Sequence, residues 1–270
     1  MQIDLNADMG EGFGAYQAGC DDGLLKIVTS ANVACGFHAG DPTIMHRLAV
    51  SAKKRRVGLG AHPGYNDLWG FGRRDVVMGV QDLEYLVAYQ IGAMQAFASY
   101  SGTPLEHVKA HGALYNLAAK DDACANAFAK AVKAVDPDLV VVGLPASRLQ
   151  KAVEKRGLAF AREGFCDRVY GCNGSLMPRS VEGSVIRDPA AAAAQAVRLA
   201  ANGEAVAADG TVLRLPVDTL CVHGDAPDAL SIARAVRDAL AKAGVRLARM
   251  RQILPCMGEG VAASRTGTGG

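Results

Sequence analysis

The sequence predicts an α/β protein built on a mostly parallel sheet, which is either open and doubly wound or closed as a β/α barrel. Three observations support this class. Short apolar runs alternate with longer helical patterns, half of the 270 residues are hydrophobic, and no linker rich in proline, glycine or serine divides the chain. We therefore predict a single domain over residues 1–250 and a C-terminal tail over 251–270 that is partly disordered.

Seven short apolar runs predict the strands, and six longer segments have the spacing of helices. The predicted strands are residues 2–6, 31–35, 58–61, 107–110, 139–143, 158–163 and 219–222. The predicted helices are residues 42–56, 81–101, 122–135, 146–155, 189–202 and 226–243. Two of these helices begin with an Asp-Pro pair, which suits a capped first turn. Asp209-Gly210, between two short apolar runs, predicts a β-hairpin before the last strand.

Composition and charge exclude several classes of function. The formal net charge of +2 and the pI near 8.2 are too mild for a nucleic-acid surface, so small neutral or anionic ligands fit better. The seven cysteines form no C-x-x-C pair, and the N-terminus lacks the basic and apolar regions of a signal peptide. The longest apolar stretch, 189–201, falls short of the ~20 residues that a membrane span needs. We expect a reduced, cytoplasmic protein that binds neither nucleic acid nor membrane.

Polar residues lie at the carboxyl ends of six of the seven predicted strands. These residues are Asn6 and Asp8 after the first strand, and then His38, His62, His111, Glu163 and His223. In a closed barrel all of these ends open onto one face, so the side chains would converge on one pocket. In a doubly wound sheet they would instead concentrate at one switch point. A single histidine beside glycine is more often a turn residue, but the shared position of the set favours a functional site.

The stretch TSANVACGFHAGDP, residues 29–42, places His38 between glycines where a strand ends. It is either a plain turn, or a turn whose glycines let the backbone approach a ligand while His38 points into the barrel mouth. Cys35 and Cys221 lie within apolar runs, so we expect buried, inert thiols. The chain contains no G-x-x-x-x-G-K motif, and any ATP site is therefore expected to come from another chain.

Six motifs follow the order of the predicted strands: NADMGEGFG, SANVACGFHAGDP, GAHPGYNDLWGFGRR, VKAHGALYN, REGFCDRVY and CVHGD. Together they resemble the LamB/YcsF family over residues 1 to about 245. The resemblance implies a distorted seven-stranded parallel β/α barrel related to the glycoside hydrolase/deacetylase barrels. It also implies the activity of the A subunit of the prokaryotic ATP-dependent 5-oxoprolinase. That enzyme opens the lactam of 5-oxo-L-proline to L-glutamate with ATP hydrolysis, and it includes two further subunits, B and C.

Three positions depart from the family pattern. Ala7 stands where the family usually has the cysteine of NCD, Ala110 where it has the proline of KPHG, and Asn173 where it has the aspartate of a DG pair. Asn173 is the departure that could alter the chemistry, because an amide neither acts as a base nor carries charge at neutral pH.

Opening a five-membered lactam benefits from activation of the carbonyl oxygen, a base that aims water, donors for an oxyanion or phosphate, and a cation for the substrate carboxylate. As catalytic residues we predict Asp8 or Glu163 as base, His38, His62 and His223 as proton carriers or phosphate donors, and Lys109 with His111 near the oxyanion. As substrate-binding residues we predict Asn6, Glu11, Asp41, Tyr115 and Asn116, with Arg73, Arg74 and Arg179 as anion clamps.

Two alternatives stay open. One is a metal-dependent, deacetylase-like hydrolase, because four side chains have the chemistry of zinc ligands: Asp8, His38, His62 and His223. None of these four lies in an H-x-x-x-H pair. The other is a non-catalytic subunit whose pocket binds the ligand while partner chains do the chemistry. The preferred interpretation assigns no residue to a metal and takes ATP as a co-substrate that is bound with the partner subunits.

Overall fold

The computed structural model describes residues 1–224 and 228–254. Ten strands occur in these residues: β1 (Gln2–Met9), β2 (Ser30–Ala34), β3 (Gly58–His62), β4 (Leu105–Lys109), β5 (Val140–Gly143), β6 (Phe160–Phe165), β7 (Glu204–Val206), β8 (Val212–Arg214), β9 (Thr219–Val222) and β10 (Arg246–Leu247). Seven of them form a parallel ring in the order β1–β2–β3–β4–β5–β6–β9, which closes because β1 pairs with both β2 and β9. The predicted closed barrel is confirmed, and the doubly wound alternative is wrong.

Nine helices occur in the same described ranges: α1 (Asp21–Leu24), α2 (Pro42–Arg55), α3 (Val80–Ser101), α4 (Gly112–Lys120), α5 (Asp122–Val135), α6 (Arg148–Lys155), α7 (Pro189–Asn202), α8 (Ala229–Lys242) and α9 (Met250–Ile253). The Asp-Pro pairs start α2 and α7, as predicted. The carboxylate of Asp41 accepts a hydrogen bond from the backbone N–H of Ile44 at 2.9 Å, and Asp188 caps α7 in the same way. Each helix therefore begins at a side chain that satisfies its free N–H groups.

The observed elements differ from the predicted ones mainly at their ends. β1 continues to Met9 and not only to residue 6, and β6 is shifted by two residues from the predicted 158–163. Asp8 therefore lies inside β1, and Glu163 lies in the middle of β6 and not at its end. The sequence does not predict α4, since Gly112, a poor helix former, is its first residue. The hairpin predicted around Asp209-Gly210 is confirmed by the antiparallel pairing of β7 with β8.

Two stretches of the chain lie outside the described residues. Residues 255–270, most of the predicted tail, lie outside them, whereas residues 251–253 belong to α9. Residues 225–227, at the predicted start of α8 and in the motif CVHGD, also lie outside them. Among residues 1–224 and 228–254, no helix combines the length and the apolar character that crossing a membrane requires.

The main hydrophobic core lies between the outer face of the barrel and the surrounding helices. On β1, Ile3 and Leu5 are fully buried in this core. Because successive side chains of a strand alternate between its faces, Asp4, Asn6 and Asp8 point into the barrel. Barrel interiors are usually filled by branched apolar side chains, whereas much of this interior is polar. The strands therefore direct polar side chains into the barrel and apolar side chains towards the helices.

One glycine makes room for the polar interior. A Cβ placed on Gly60 of β3 would overlap Nε2 of His107 on β4, so only glycine leaves space for that ring. His107 is fully buried, and its Nε2 lies 2.8 Å from Oδ1 of Asn32. Burial lowers the pKa of His107 to about 3, so the ring is neutral. A second, smaller apolar cluster joins β5, β6 and α9: Val140, Val142, Ala161 and Met250.

Candidate active site at the barrel mouth

Side chains from four strands form a continuous polar network inside the barrel. The amide of Asn6 donates to Oγ1 of Thr219 at 2.7 Å and to Oε1 of Glu163 at 3.1 Å. The carbonyl oxygen of Asn6 accepts from the amide of Asn32 at 2.7 Å, and the same amide donates to Asp8 at 2.8 Å. All five side chains are buried, so the network holds each of them in one geometry.

Lys109, the last residue of β4, is the cation of this network. Its Nζ lies 3.0 Å from Oδ1 of Asp8, 2.8 Å from Oε1 of Glu163 and 3.2 Å from Sγ of Cys221. Burial alone would lower the pKa of Lys109, but the charges of Asp8 and Glu163 raise it well above its ordinary value. Burial alone would raise the pKa of Asp8, but His62 and Lys109 hold it well below its usual range. The ammonium and the Asp8 carboxylate therefore both stay charged at neutral pH.

Four buried side chains beside Lys109 form a group that we name the histidine cluster: Glu11, His38, His62 and His111. Nδ1 of His62 lies 2.8 Å from the carbonyl oxygen of Lys109, and Nε2 of His111 lies 2.8 Å from that of Phe71. Since a carbonyl oxygen can only accept, both of these ring nitrogens carry a proton. The other two nitrogens, Nε2 of His62 and Nδ1 of His111, face each other at 3.0 Å.

Glu11 and His38 complete the histidine cluster. Oε1 of Glu11 lies 3.3 Å from Nδ1 of His111 and 3.6 Å from Nε2 of His38. The His38 and His111 rings stack with their centroids 3.7 Å apart. Both ring nitrogens of His38 and Oε1 of Glu11 are buried without a hydrogen-bond partner. Burial and the neighbouring His111 lower the pKa of His38 to about 3, so this ring is neutral.

His223 follows β9 and is oriented by Asp167, which follows β6. Nδ1 of His223 lies 2.9 Å from Oδ1 of Asp167, and the backbone N–H of His223 donates to Oδ2 at 2.9 Å. Burial alone would raise the pKa of Asp167, but His223 holds it below its usual value. Because the ionised carboxylate only accepts, Nδ1 carries a proton and Nε2 is left for a ligand. A histidine aligned in this way can serve as a general base.

Tyr115 of α4 contributes a neutral hydroxyl to the site. This hydroxyl and Oε2 of Glu163 are both buried without a hydrogen-bond partner. Burial and the charge of Glu163 raise the pKa of Tyr115 well above its ordinary value. The Tyr115 ring meets Phe165 edge to face with their centroids 5.8 Å apart. Tyr115 is therefore a fixed donor that stays protonated.

Two groups of described side chains could hold a metal ion. One is the histidine cluster, and the other is Asp8, Cys221 and His223; within each group the donor atoms lie within 4.8 Å of one another. In the second group, Nζ of Lys109 already lies 3.0 Å from Asp8 and 3.2 Å from Cys221. The deacetylase-like alternative predicts a set that the structure divides between the two groups: Asp8, His38, His62 and His223.

Arg73 and Arg74 lie on the loop between β3 and α3. Arg74 forms a two-pronged ion pair with Asp67 of the same loop, although its side chain is 66% exposed. The guanidinium of Arg73 lies over the ring of Phe71, 4.8 Å from its centroid. Arg74 therefore shapes the loop, whereas Arg73 lies against the residue whose carbonyl holds His111.

Arg179 has a basic neighbour that the sequence does not reveal. Burial and the charge of Arg179 lower the pKa of Arg168 to about 10. Arg168 is only 6% exposed, its Nε has no hydrogen-bond partner, and it directly follows Asp167. The two guanidinium charges repel each other, and an anionic group bound beside them would relieve this repulsion.

The turn that carries His38 uses its glycines for the turn itself. Gly40 has a φ of +82°, and a Cβ there would lie 2.6 Å from the carbonyl oxygen of Ala34. The plain-turn interpretation therefore accounts for this glycine, and the turn delivers His38 into the histidine cluster. Cys35 and Cys221 are buried as predicted, and burial raises the pKa of both thiols.

The barrel and its mouth have counterparts among known proteins. The model of the LamB/YcsF family matches residues 3–255. This chain belongs to the LamB/YcsF family. A protein named as the A subunit of 5-oxoprolinase, from Rhodopseudomonas palustris (strain BisB18), is 51% identical over 91% of this chain and 97% of its own length. One of the same name from Methylococcus capsulatus is 51% identical over 92% of this chain and 95% of its own length. The crystal structure of a lactam utilization protein from Thermus thermophilus is 46% identical, with a TM-score of 0.87, over 92% of this chain and 99% of that one.

The departures from the LamB/YcsF pattern lie away from the polar network. Ala7 and Ala110 are buried in the hydrophobic core. Asn173 is exposed, and its Oδ1 accepts from the backbone N–H of Ser175 at 3.0 Å and from its hydroxyl at 2.7 Å. Asn173 thus stabilises a surface turn, and its position does not support the expected effect on the chemistry.

Most of the predicted LamB/YcsF site residues come together at the mouth. They are Asn6, Asp8, Glu11, His38, His62, Lys109, His111, Tyr115, Glu163 and His223. Two others lie apart. The carboxylate of Asp41 is engaged by the backbone N–H groups of Ile44 and Gly14, and Asn116 is exposed on α4. Asp41 therefore holds the β1–α1 loop against α2, and the substrate-binding role of both residues stays a prediction.

Several functional neighbours are missed when only strand ends are considered. Asn32, His107 and Asp167 each contact a predicted site residue or its partner, yet the sequence analysis assigns none of them. Their signal is alternation, because polar residues recur at every second position where a strand faces the interior. The pattern is visible in 4–8 (DLNAD), 30–32 (SAN) and 107–111 (HVKAH), whereas 163–167 (EGFCD) and 219–223 (TLCVH) keep it only at their two ends.

Proposed function

We propose that this chain is the A subunit of an ATP-dependent 5-oxoprolinase, which opens 5-oxo-L-proline to L-glutamate together with B and C subunits. The observation that carries the proposal is the match to relatives named as the A subunit of 5-oxoprolinase, which are about half identical over more than nine-tenths of this chain. The polar mouth supports it, because it supplies the kinds of group that lactam opening requires.

Lys109 is the proposed donor to the lactam oxygen. It is charged and buried, and Asp8 and Glu163 hold it in place before any substrate arrives. Such preorganised charge stabilises an oxyanion more strongly in a buried site than it would in water. Asp8 serves this role as the anchor of Lys109, since its low pKa makes it a weak base.

His223 is the proposed general base. Asp167 fixes its tautomer and leaves Nε2 to take a proton from the attacking water. The neighbouring guanidinium groups of Arg168 and Arg179 are suited to the substrate carboxylate or to a phosphate. The charge of Arg179 also lowers the pKa of the Asp167 carboxylate. The base and the anion site therefore belong to one side of the mouth.

Two features support the roles of ATP and of the partner subunits. The chain lacks a phosphate-binding loop, and the rim of the mouth exposes apolar side chains. The sequence has no phosphate-cradling G-x-x-x-x-G-K loop. On the loop between β3 and α3, the side chains of Leu68, Trp69 and Val77 are 41%, 97% and 99% exposed. Exposed apolar side chains around a polar mouth are typical of a surface that another chain covers. A partner seated there would shield a phosphorylated intermediate from water.

Reconstitution tests the proposal. The purified chain is mixed with its cognate B and C subunits, and ADP and glutamate are followed together. We expect 5-oxoproline-dependent release of both products only in the complete mixture. Rapid ATP-independent glutamate release by the isolated chain would contradict the proposal and favour the metal-hydrolase alternative. Full turnover by a mixture that contains a folded His223→Gln chain would instead favour a non-catalytic role.

A further inference from the structure

We propose that the histidine cluster binds one divalent transition-metal ion, for which zinc best matches the donors. Two imidazoles and one carboxylate, those of His62, His111 and Glu11, form a donor set of the kind that zinc accepts, with a fourth position left for water or another ligand. The donors come from three strands of the barrel, as Glu11 follows β1, His62 ends β3 and His111 follows β4. The His38 ring stacks parallel to that of His111 with the centroids 3.7 Å apart, so its in-plane lone pairs do not point at the same ion. The inference concerns the isolated chain and does not depend on the proposed function.

The hydrogen bonds of two rings prepare them as ligands. His62 donates its Nδ1–H to the carbonyl of Lys109, and His111 donates its Nε2–H to the carbonyl of Phe71. Metal-binding histidines are usually held in this way, with the second ring nitrogen bonded to a carbonyl or carboxylate. The remaining nitrogens face each other at 3.0 Å, and Nε2 of His62 also lies 3.4 Å from Oδ2 of Asp8. A positive species is needed between them, either a metal ion or a shared proton.

The separations of the donor atoms fit an ion better than a proton. A tetrahedral ion with bonds of about 2.0–2.2 Å places its ligand atoms roughly 3.3–3.6 Å apart. Oε1 of Glu11 lies 3.3 Å from Nδ1 of His111, and Nε2 of His62 lies 3.0 Å from the same atom. Both separations lie close to the tetrahedral value. A single proton could bridge only one pair of these atoms.

An unpartnered atom of the cluster points to the same ligand. Oε1 of Glu11 is buried without a hydrogen bond, and Glu11 is only 7% exposed. A buried polar atom without a partner costs about 1–3 kcal/mol. A bound ion would satisfy this oxygen.

The backbone around the cluster leaves the rings little freedom to move. A Cβ on Gly72 would lie 2.7 Å from Cβ of His38 and 2.9 Å from Cδ2 of His111, so the β3–α3 loop packs directly onto both rings. The second possible group, Asp8 with Cys221, lacks this advantage because the ammonium of Lys109 already occupies it. The histidine cluster is therefore where a cation would be held.

Metal content of the isolated chain tests the inference. The chain is purified without a metal-affinity tag and without added metal, and its metals are quantified by elemental analysis. It is then stripped with a chelator and titrated with zinc, while binding and the thermal midpoint are followed. We expect about one ion per chain and a rise in the midpoint on zinc addition. Glu11→Gln and His111→Gln should weaken zinc binding by more than about 100-fold.

Matched controls and a second readout make the result decisive. His46→Gln on α2 and Glu154→Gln on α6 change the same residue types away from the cluster and should bind zinc as the wild type does. If the cluster variants fail to fold, NMR of the cobalt-loaded wild type should show two metal-bound imidazole rings that do not include His223. The inference is overturned if stripped wild type binds no zinc, cobalt or manganese at micromolar concentration. Unchanged zinc affinity in folded Glu11→Gln and His111→Gln would overturn it too.

Discussion

The two ends of the barrel hold the same residue type on the same strand and treat it in opposite ways. At the amino end, Asp4 of β1 accepts hydrogen bonds from the hydroxyls of Ser30 and Thr219, each at 2.6 Å, and burial raises its pKa to about 6. At the mouth, Asp8 faces Lys109, and its pKa falls well below the usual range despite the same burial. Hydroxyl donors offset only part of the cost of burying a carboxylate, whereas an ammonium reverses it.

The comparison separates structure from chemistry within one barrel. The amino end is closed by α9 and its flanking Arg249, which forms an ion pair with Glu106 at 2.6 Å. At the mouth the β3–α3 loop packs onto His38 and His111, and charged and neutral ionisable groups lie side by side. Perturbed ionisable groups that meet in a cleft are the physical mark of a functional site.

The largest effect is expected from removing the charge at the mouth. Lys109→Met leaves the carboxylates of Asp8 and Glu163 buried without their cation. Breaking a buried ion pair in this way costs about 3–5 kcal/mol of unfolding free energy. Turnover of the reconstituted complex should also fall by two or more orders of magnitude, since losing one preorganised donor costs on the order of 3 kcal/mol. Chemical denaturation and coupled product assays measure the two quantities.

A control pair lies at the other end of the barrel. Arg162 and Asp218 form an ion pair that is partly exposed, so Arg162→Met should change the unfolding free energy by at most about 1 kcal/mol. Wild-type turnover in a folded Lys109→Met protein would show that Lys109 has no role in the reaction.

Acid should destabilise the protein through a buried neutral histidine outside the histidine cluster. The folded pKa of His107 is about 3, below the ordinary value of 6.5. A depressed pKa gives stability that is present above pH 6.5 and is lost as the pH falls towards 3. By pH 5 this ring should cost about 2 kcal/mol. His107→Gln should remove this contribution from denaturation curves taken from pH 7 to pH 5, whereas His46→Gln should not.

Asp4 should change the unfolding free energy with pH in the opposite direction. Its folded pKa of about 6 exceeds the ordinary value of 3.8, so its stabilisation is complete below pH 3.8 and is lost as the pH rises through 6. The shift of roughly two units corresponds to about 3 kcal/mol in full. Asp4→Asn does not titrate, and its stability relative to wild type should therefore increase by about 2 kcal/mol between pH 4 and pH 7. A constant difference between the two proteins over this range would show that Asp4 does not titrate there.

The smallest effect is expected at the rim of the mouth. Arg73→Lys keeps the charge but loses the planar fork, so a clamp for carboxylate or phosphate should show a several-fold higher KM with little change in kcat. Arg74→Lys should have less effect on KM, because Asp67 already binds its guanidinium. Steady-state kinetics of the complete mixture measures both, and equal KM values for all three proteins would make Arg73 a surface residue.

The sequence predicts the fold well because apolar runs and caps are local signals. The seven barrel strands and the capped starts of α2 and α7 all follow from them. α4 does not, because Gly112 opens it and its stability comes from tertiary packing of buried residues such as Leu114. Closure of the ring is also non-local, and the residues by themselves left the open sheet and the barrel as alternatives.

The sequence predicts which residues belong to the candidate site, but it does not predict which of their side chains contact one another. Strand ends identify His62, Glu163 and His223, since parallel strands deliver their carboxyl ends to one face. They do not reveal that Asp167 orients His223, or that Glu11 lies beside His38 and His111. Which polar side chains meet depends on the tilt and stagger of the strands, and these are properties of the closed ring.

Closure of the ring between β1 and β9 sets an order of events for the growing chain. The hydroxyl of Thr219 bonds to Asp4, 215 positions earlier, so a ribosome must release nearly the whole sequence before the first strand finds its last neighbour. Until then the partly built sheet is an open trough whose concave side carries carboxylates, amides and imidazoles that water can hydrate. An exposed apolar surface of that size would promote aggregation with other nascent chains. A hydrated polar surface lowers this risk until the final strand is available.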